Sequence, residues 1–147
     1  MTAEGIIFSE DHVRFIQKCA EKGYPAEACG LITGTLSAAR QLVAHQVREA
    51  KNILAAERQD RFEIDPITRI QVEKDCRRSG LRLVAHFHSH PDQPAIPSKI
   101  DLMQAYEPDL IWIIAGLENG VVSAIKAHRL EKDGNAFAEI DLIVHKA

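Results

Sequence analysis

Apolar residues occur along the chain in short runs, and most of these runs have the length of a β-strand. Runs rich in branched and aromatic residues, bounded by polar or glycine-containing segments, are typical of strands. They predict strands at 6–8, 28–35, 41–47, 81–88, 110–115, 121–130 and 136–144. The run at 110–115 is apolar at every position, as in a central strand covered on both faces. The small, polar segment 36–40 predicts a hairpin between the second and third strands.

Helix boundaries are visible between these strands. Ser9 suits the N-cap of a helix that ends at Gly23 and turns three apolar residues inward: Val13, Ile16 and Ala20. Asp65, followed by Pro66, begins a second helix that stops at Gly80, because glycine suits the left-handed conformation after a helix. A short helix begins at Ser98.

Strands interspersed with a few helices predict an α+β fold, with a mixed, curved sheet packed against two main helices and a short third one. The segment 49–60 has mixed charge and no apolar period, and it is predicted to be a mobile loop. No repeat or linker interrupts the pattern, so one domain over residues 1–147 is expected.

Composition and charge narrow the classes of function. The net charge is −3 and the 18 basic residues are scattered, which argues against a nucleic-acid partner. Three widely spaced cysteines suggest neither a disulfide framework nor a thiolate zinc knuckle. The chain has no basic, apolar leader and no apolar run approaching the roughly 20 residues of a membrane helix. A cytoplasmic protein with no membrane partner is therefore expected.

The segment from His88 to Asp101 carries the candidate chemistry. In a strand, side chains two residues apart point to the same side, so His88 and His90 can present two imidazoles to one metal ion. The carboxylate of Asp101, on the first turn of the following helix, would be a third ligand. Two nitrogens and one oxygen leave a fourth tetrahedral position open for water, as in catalytic rather than structural zinc sites.

Two residues in this segment also allow other interpretations. Asp101 lies three residues after Ser98, a spacing that also forms a helix capping box in which the acid only satisfies backbone donors. His86 is in register with His88 and His90 and could compete as a ligand. The spacing to Pro91 and Asp101 favours the later pair, which leaves His86 as a pocket residue behind the ligands.

The sequence resembles the JAMM metallopeptidases, also called the MPN family, through one complete motif. The motif is a glutamate, then His88-Ser89-His90-Pro91, six further residues, Ser98, two further residues and Asp101. The resemblance covers essentially the whole chain, including Pro25-Ala26-Glu27-Ala28-Cys29-Gly30-Leu31 and Phe62-Glu63-Ile64-Asp65-Pro66. It implies an MPN fold similar to cytidine deaminases, one zinc ion per chain, Glu27 as general acid/base and Ser98 as a hydrogen-bond donor to the oxyanion.

Several other residues have weaker expectations attached to them. Asn52 is either a loop residue or a contact to the substrate strand. His86 stands where a hydrophobic residue is expected, and it is a further candidate for contact with the substrate. Cys29 is more simply a small buried residue than a nucleophile. The remaining histidines are expected at the surface: His12, His45, His128 and His145.

The resemblance also suggests the substrate. Deubiquitinating relatives hold ubiquitin with inserted segments, for which this chain has no room, whereas compact bacterial relatives trim the C-terminal tail of ubiquitin-like sulfur-carrier proteins. Such a tail could add to a sheet edge beside the zinc, under the 49–60 loop as a lid. The alternatives are a broader protease, an isopeptidase removing a ubiquitin-like tag from lysine, or a non-catalytic scaffold. A homodimer remains open.

Overall fold

The computed structural model describes residues 2–146, which form seven strands and three helices. The helices are α1 (Glu10–Gly23), α2 (Pro66–Ser79) and α3 (Lys99–Met103). The strands are β1 (Gly5–Ser9), β2 (Cys29–Leu36), β3 (Gln41–Ala50), β4 (Arg82–His90), β5 (Ile111–Glu118), β6 (Val121–Leu130) and β7 (Phe137–His145). The predicted α+β class and every predicted element are confirmed.

The seven strands form one curved, mixed sheet that closes on itself in the order β1-β3-β2-β4-β5-β6-β7. β1 closes the ring, because it pairs in parallel with both β3 and β7. β4 and β5 are also parallel, and the remaining neighbours are antiparallel, including the predicted β2–β3 hairpin. β4 therefore has a hydrogen-bonded neighbour on each side along the part that carries the histidines.

The two long helices lie on different parts of the sheet. α1 packs against β1 and β3 to β7, and its buried residues Ile16 and Ala20 join the main hydrophobic core. α2 packs against β2 and β4, where Val72 and Cys76 contact Leu31. Within residues 2–146, none of the helices combines the length and apolar composition that crossing a bilayer requires.

The helix boundaries follow the predicted capping chemistry. The Ser9 hydroxyl accepts the backbone N–H of His12 at the start of α1. The Asp65 carboxylate accepts the N–H of Ile67, and Gly80 ends α2 with a φ of 76°. These side chains satisfy backbone groups that a helix terminus otherwise leaves unpaired.

Two expectations about this sheet were wrong. Strand β3 continues through Glu49 and Ala50, because its ladder with β2 extends to the pair Cys29–Ala50, so the loop begins only at residue 51. The proposed addition of a substrate strand to a sheet edge beside the zinc also fails. β5 pairs with β4 through His90. On the other side β2 pairs with β4 through His88 and Ala28 bonds to Ser89, so neither edge of β4 is free beside His88.

Candidate metal centre

Strand β4 carries the two histidines to the site, and its ladders determine what lies beside them. His88 is opposite Cys29 of β2 and beside Ile114 of β5, while His90 is beside Gly116. Both imidazoles are buried. Because the two residues are separated by one position, their rings emerge on the same face of the sheet.

Three donor atoms converge at this face. Nε2 of His88 lies 3.1 Å from Nε2 of His90. An Asp101 carboxylate oxygen lies 3.2 Å from the first nitrogen and 3.0 Å from the second. In a tetrahedral zinc site with bonds of about 2.0 Å, donor atoms lie about 3.3 Å apart. The three side chains are therefore spaced as ligands of one small cation would be.

The carboxylate of Asp101 both takes part in the capping box of α3 and faces the two histidines of the site. Its Oδ2 atom accepts the backbone N–H of Ser98 at 2.9 Å, while its own backbone N–H donates to Ser98 Oγ at 3.0 Å. The capping box is thus present, and the same carboxylate faces both histidines. The two interpretations of this spacing are compatible, because the capping bond fixes the carboxylate where the imidazoles meet.

The orientation of His90 is set by the loop that follows β4. Its Nδ1 atom lies 3.0 Å from the carbonyl oxygen of Pro94, which can only accept a hydrogen bond. Nδ1 therefore carries a proton in either charge state of the ring, so Nε2 is the atom that gives up its proton when the ring becomes neutral and then presents a lone pair to a metal ion. A backbone carbonyl that orients a histidine ligand in this way is a common feature of metal centres.

Aromatic packing orients His88 instead. The ring of Phe62 stacks on it with a centroid distance of 4.4 Å and an interplanar angle of 19°. Trp112 meets it edge-on at 5.5 Å. Nδ1 of His88 is buried without a hydrogen-bond partner. Packing therefore positions the Nδ1 side of this imidazole, while its Nε2 atom faces the Asp101 carboxylate.

Glu27 reaches the site although it lies 61 residues before His88 in the chain. The N–H of Ala28 donates to Ser89 Oγ at 2.8 Å, and the N–H of Ser89 donates to the Ala28 carbonyl at 3.0 Å. These bonds extend the β2–β4 ladder and place Glu27 beside His90. A Glu27 carboxylate oxygen and one ring nitrogen from each of His88 and His90 all lie within 4.8 Å of one another.

Burial sets the protonation of these groups. It raises the pKa of Glu27 to about 8, against the opposing charge of His90, and Oε1 has no protein partner. Burial also raises the pKa of Asp101, but the hydrogen bonds from His88 and His90 outweigh it and hold that pKa well below its usual range. Asp101 is thus an anion, while Glu27 in the metal-free chain can hold a proton near neutral pH.

Asn52 is buried next to Glu27, the candidate catalytic residue. Its side chain forms hydrogen bonds with the protein's own backbone. Its side-chain amide donates to the carbonyl of Glu27 at 2.7 Å, and its side-chain oxygen accepts the N–H groups of Leu54 and Glu63, each at 3.0 Å. This arrangement favours the loop interpretation over a substrate contact. Asn52 ties the 51–65 segment to the backbone of Glu27.

His86 lies on the same face of β4, one step further from the ligands. Its ring centroid is 6.4 Å from that of His88 and 4.4 Å from the Trp112 ring. Nδ1 has no hydrogen-bond partner, and burial lowers the pKa of the imidazole to about 3, so the ring is neutral. His86 lies behind the converging donors rather than among them.

The expectation that His128 is a surface residue was wrong. His128 is buried on β6 opposite Trp112, and its Nε2 atom lies 2.8 Å from the carbonyl oxygen of Ala95. It therefore supports the same loop that orients His90 through Pro94. The sequence carries no local signal for this contact, because it depends on the register between β5 and β6.

Gly116 of β5 has no side chain, and this allows the 93–95 loop to pack closely against the strand. A Cβ atom at this position would lie 2.7 Å from the Gln93 carbonyl oxygen and 2.8 Å from the Ala95 nitrogen. We expect Gly116→Ala to push the 93–95 backbone away from β5, to lower the free energy of unfolding by about 1–3 kcal/mol and to weaken metal binding through His90. Denaturant unfolding and chelator competition would measure the two effects.

Gly134→Ala is the matched control for this change. Gly134 has a φ of 73° and no atom near its missing Cβ, so alanine costs stability by backbone strain alone. Metal affinity should stay at the wild-type value in this variant. Equal metal affinity in both variants would contradict the role given to Gly116.

Taken together, the site holds two imidazoles, one permanent carboxylate and a second carboxyl group of raised pKa, all buried. Imidazole and carboxylate ligands suit zinc and related divalent ions. A cavity of about 110 Å³ reaches the site at Glu27, His90 and Ser98, with Gln59 and Asp60 from the 51–65 segment at its side. A small cation and part of a substrate can meet there.

Comparison with known proteins gives a consistent picture. The chain matches the family model described as prokaryotic homologs of the JAB domain over residues 9–129. It is 29% identical over 120 residues to a desampylase of Haloferax volcanii, covering 82% of this chain and 79% of that protein. Over 41 residues, 28% of each chain, it is 44% identical to a probable TtuB-protein conjugate cleaving protease of Thermus thermophilus.

The fold has a solved counterpart. A solution structure of a protein from Desulfitobacterium hafniense superimposes with a TM-score of 0.83 at 27% identity, covering 97% of this chain and 94% of that one. The family match includes the whole segment from Glu27 to Asp101. The chain therefore belongs to the prokaryotic homologs of the JAB domain, a compact branch of the JAMM/MPN family.

Proposed function

We propose that the protein is a zinc-dependent hydrolase that cleaves a peptide or isopeptide bond at the C-terminal tail of a ubiquitin-like protein. One observation carries the proposal: three donor atoms converge at 3.0–3.2 Å with a buried carboxyl group of raised pKa beside them. A purely structural zinc site would be closed by a fourth protein ligand, whereas this site opens onto a cavity.

His88, His90 and Asp101 are assigned as the residues that hold the metal. Glu27 is the other carboxylate near the histidines, but Asp101 is closer to both nitrogens and is anionic. Glu27 is thereby left free for proton transfer. A bound cation would lower the pKa of Glu27 from its metal-free value, since a nearby positive charge favours the carboxylate.

In the mechanism, zinc would supply Lewis-acid polarisation of the scissile carbonyl and activation of a water molecule. The Glu27 carboxylate takes a proton from the attacking water and then delivers it to the departing amine. The Ser98 hydroxyl oxygen accepts from the Asp101 N–H, so its own hydrogen is free to donate to the carbonyl oxygen as negative charge develops there. Burial of the site strengthens both interactions.

The names of the relatives bear on the choice of substrate. One relative is named for cleaving TtuB-protein conjugates and another is named a desampylase. These names favour the removal of a protein tag from a conjugate over unrestricted proteolysis. Gln59 and Asp60 line the cavity, which supports the role of the 51–65 segment as a cover over the substrate tail.

The direct test uses a ubiquitin-fold carrier that ends in Gly-Gly, prepared with a short C-terminal peptide extension and, separately, joined to a lysine side chain. Mass spectrometry should show release after Gly-Gly by the zinc-loaded protein, and a chelator should stop it. Bound zinc without cleavage of either carrier would contradict the proposed activity and favour a scaffold.

The proposed role of Ser98 as an oxyanion donor can be separated from its role as a helix cap, because Ser9 caps α1 with the same capping-box arrangement but lies outside the site. We expect Ser98→Ala to lower kcat by about 10²–10³, as loss of an oxyanion donor does. Ser9→Ala should cost a similar amount of stability, about 1 kcal/mol, with unchanged kcat. Steady-state kinetics and thermal unfolding of both variants measure this, and equal kcat values would limit Ser98 to capping.

A further inference from the structure

A second cavity, of about 370 Å³, lies on the other side of His88 from Glu27. Six residues form its largely apolar interior: Leu31, Phe62, Ile64, His86, Leu110 and Trp112. Its volume is within the range of about 300–1,000 Å³ of ligand pockets. At its rim, the Arg69 guanidinium donates two hydrogen bonds to the Glu107 carboxylate, so these two charges balance each other.

The same two chain segments contribute residues to both cavities, although no single residue lines both. Gln59 and Asp60 line the catalytic cavity, and Phe62 lines the second one, so the same segment passes over both. The segment from Ser98 to Gln104 likewise contributes to each cavity. Phe62 stacks directly on His88. The His86 ring, which lines the second cavity, lies 6.4 Å from the His88 ring, and an extended substrate chain spans that distance in about two residues at about 3.3 Å each.

His86 gives this cavity a polar group that the protein itself leaves unused. The residue is only 8% exposed, and its Nδ1 atom has no hydrogen-bond partner. A buried, unpaired polar group destabilises a fold, whereas an apolar side chain of similar shape would not. Nδ1 is enclosed by protein, but Nε2 of the same ring is not among the enclosed atoms and has no hydrogen bond within residues 2–146, so Nε2 is the atom that a ligand in the cavity can reach.

We propose that the second cavity is a specificity pocket for an apolar side chain of the residue that carries the leaving amine, with His86 hydrogen bonding to that residue. The assignment to the leaving side rests on the proposed function in its peptide-bond form, since in an isopeptide the leaving amine belongs to a lysine side chain. The small residues on the other side of the cleaved bond have no side chain to place in the cavity. The apolar walls, together with Glu63, an acidic residue of the lining outside the Arg69–Glu107 pair, select against acidic residues.

The pocket can be tested through substrate preference. Carriers ending in Gly-Gly followed by phenylalanine, leucine, alanine or aspartate differ only at the leaving residue. We expect kcat/KM to be about tenfold or more higher for phenylalanine and leucine than for alanine, and lowest for aspartate. In Ile64→Phe, which fills the cavity, the preference should disappear. His86→Phe, which loses the hydrogen bond but keeps the apolar walls, should lower kcat/KM for the phenylalanine and leucine carriers alike.

A binding measurement keeps the pocket separate from the reaction. Trp112 is the chain's single tryptophan and lines the cavity, so its fluorescence reports occupancy directly. Phenylalaninamide should change the emission saturably, with a Kd of about millimolar for so small a ligand, while alaninamide should not. Ile64→Phe should abolish the response. Leu36→Phe, the same kind of change in a separate cavity, should retain it.

The possible results separate the two proposals. A saturable response to phenylalaninamide without cleavage of any carrier would support the pocket and contradict the proposed activity. Cleavage without preference at the leaving residue, or fluorescence that does not respond to phenylalaninamide, would overturn the pocket. His86→Phe should also raise Tm, because it removes an unpaired buried polar group, and that result would show that its lower kcat/KM is not a loss of folding.

Discussion

Replacing Glu27 with glutamine is expected to lower kcat by about 10²–10⁴ while leaving metal binding intact. Glutamine has nearly the same shape and retains the packing beside His90, but it cannot take up or release a proton. Glu57→Gln, at an exposed position in the 51–65 segment, is the matched control and should keep wild-type kcat. Kinetics and metal content measured on the same preparations would separate catalysis from metal loading.

The same variant should change the pH dependence of stability in the metal-free protein. The pKa of Glu27 is raised to about 8 by burial, so the folded chain retains a proton there that the unfolded chain has lost. Stability then falls as pH rises from the ordinary glutamate pKa through about 8. Glu27→Gln should remove this part of the decline in unfolding experiments. A wild-type kcat in Glu27→Gln would contradict its role as proton carrier.

Replacing Asp101 with asparagine is expected to weaken zinc binding by more than about 100-fold, because loss of residues that merely support a ligand already costs 10–100-fold. Asparagine keeps a side-chain oxygen that can cap α3, but it lacks the negative charge. Chelator competition would give the affinity. Thermal unfolding should show a zinc-dependent rise in Tm for wild type, as expected for a ligand of the native state, and little rise for the variant.

Asp60→Asn is the control for this experiment. Asp60 also lines the catalytic cavity, but its carboxylate pairs with Arg58 and Arg61, so its loss should leave zinc affinity unchanged. Wild-type affinity in Asp101→Asn would confine Asp101 to helix capping. Glu27 would then be the third donor beside the two histidines, and the assignment of the proton carrier would also fail.

The spacing of local residues was sufficient to predict much of this site. Alternation along a strand places His88 and His90 on one face, and the helix start at Ser98 brings Asp101 back to them. Glu27 is different, because its distance in the chain is bridged only by the β2–β4 ladder. The family resemblance predicted its role, and nothing local to residue 27 does.

The features that sequence reasoning missed all depend on register between strands. Burial of His128 follows from its position opposite Trp112, and the lack of a free edge at β4 follows from pairing with β5. The unpaired nitrogen of His86 is likewise visible only once its neighbours are in place. Hydrophobic periodicity identifies strands, but it does not specify which strands become neighbours.

Closure of the ring by β1 and β7 has a consequence for synthesis. Gly5 of β1 pairs with Asp141 of β7. One edge of β1, the first strand to be synthesised, therefore stays uncovered until β7, the last strand, has been made. Glu27, His88, His90 and Asp101 have all been synthesised before β7 is available. A nascent or C-terminally truncated chain therefore contains all four residues of the proposed site while exposing unpaired edges on β1 and β6, and such edges promote aggregation.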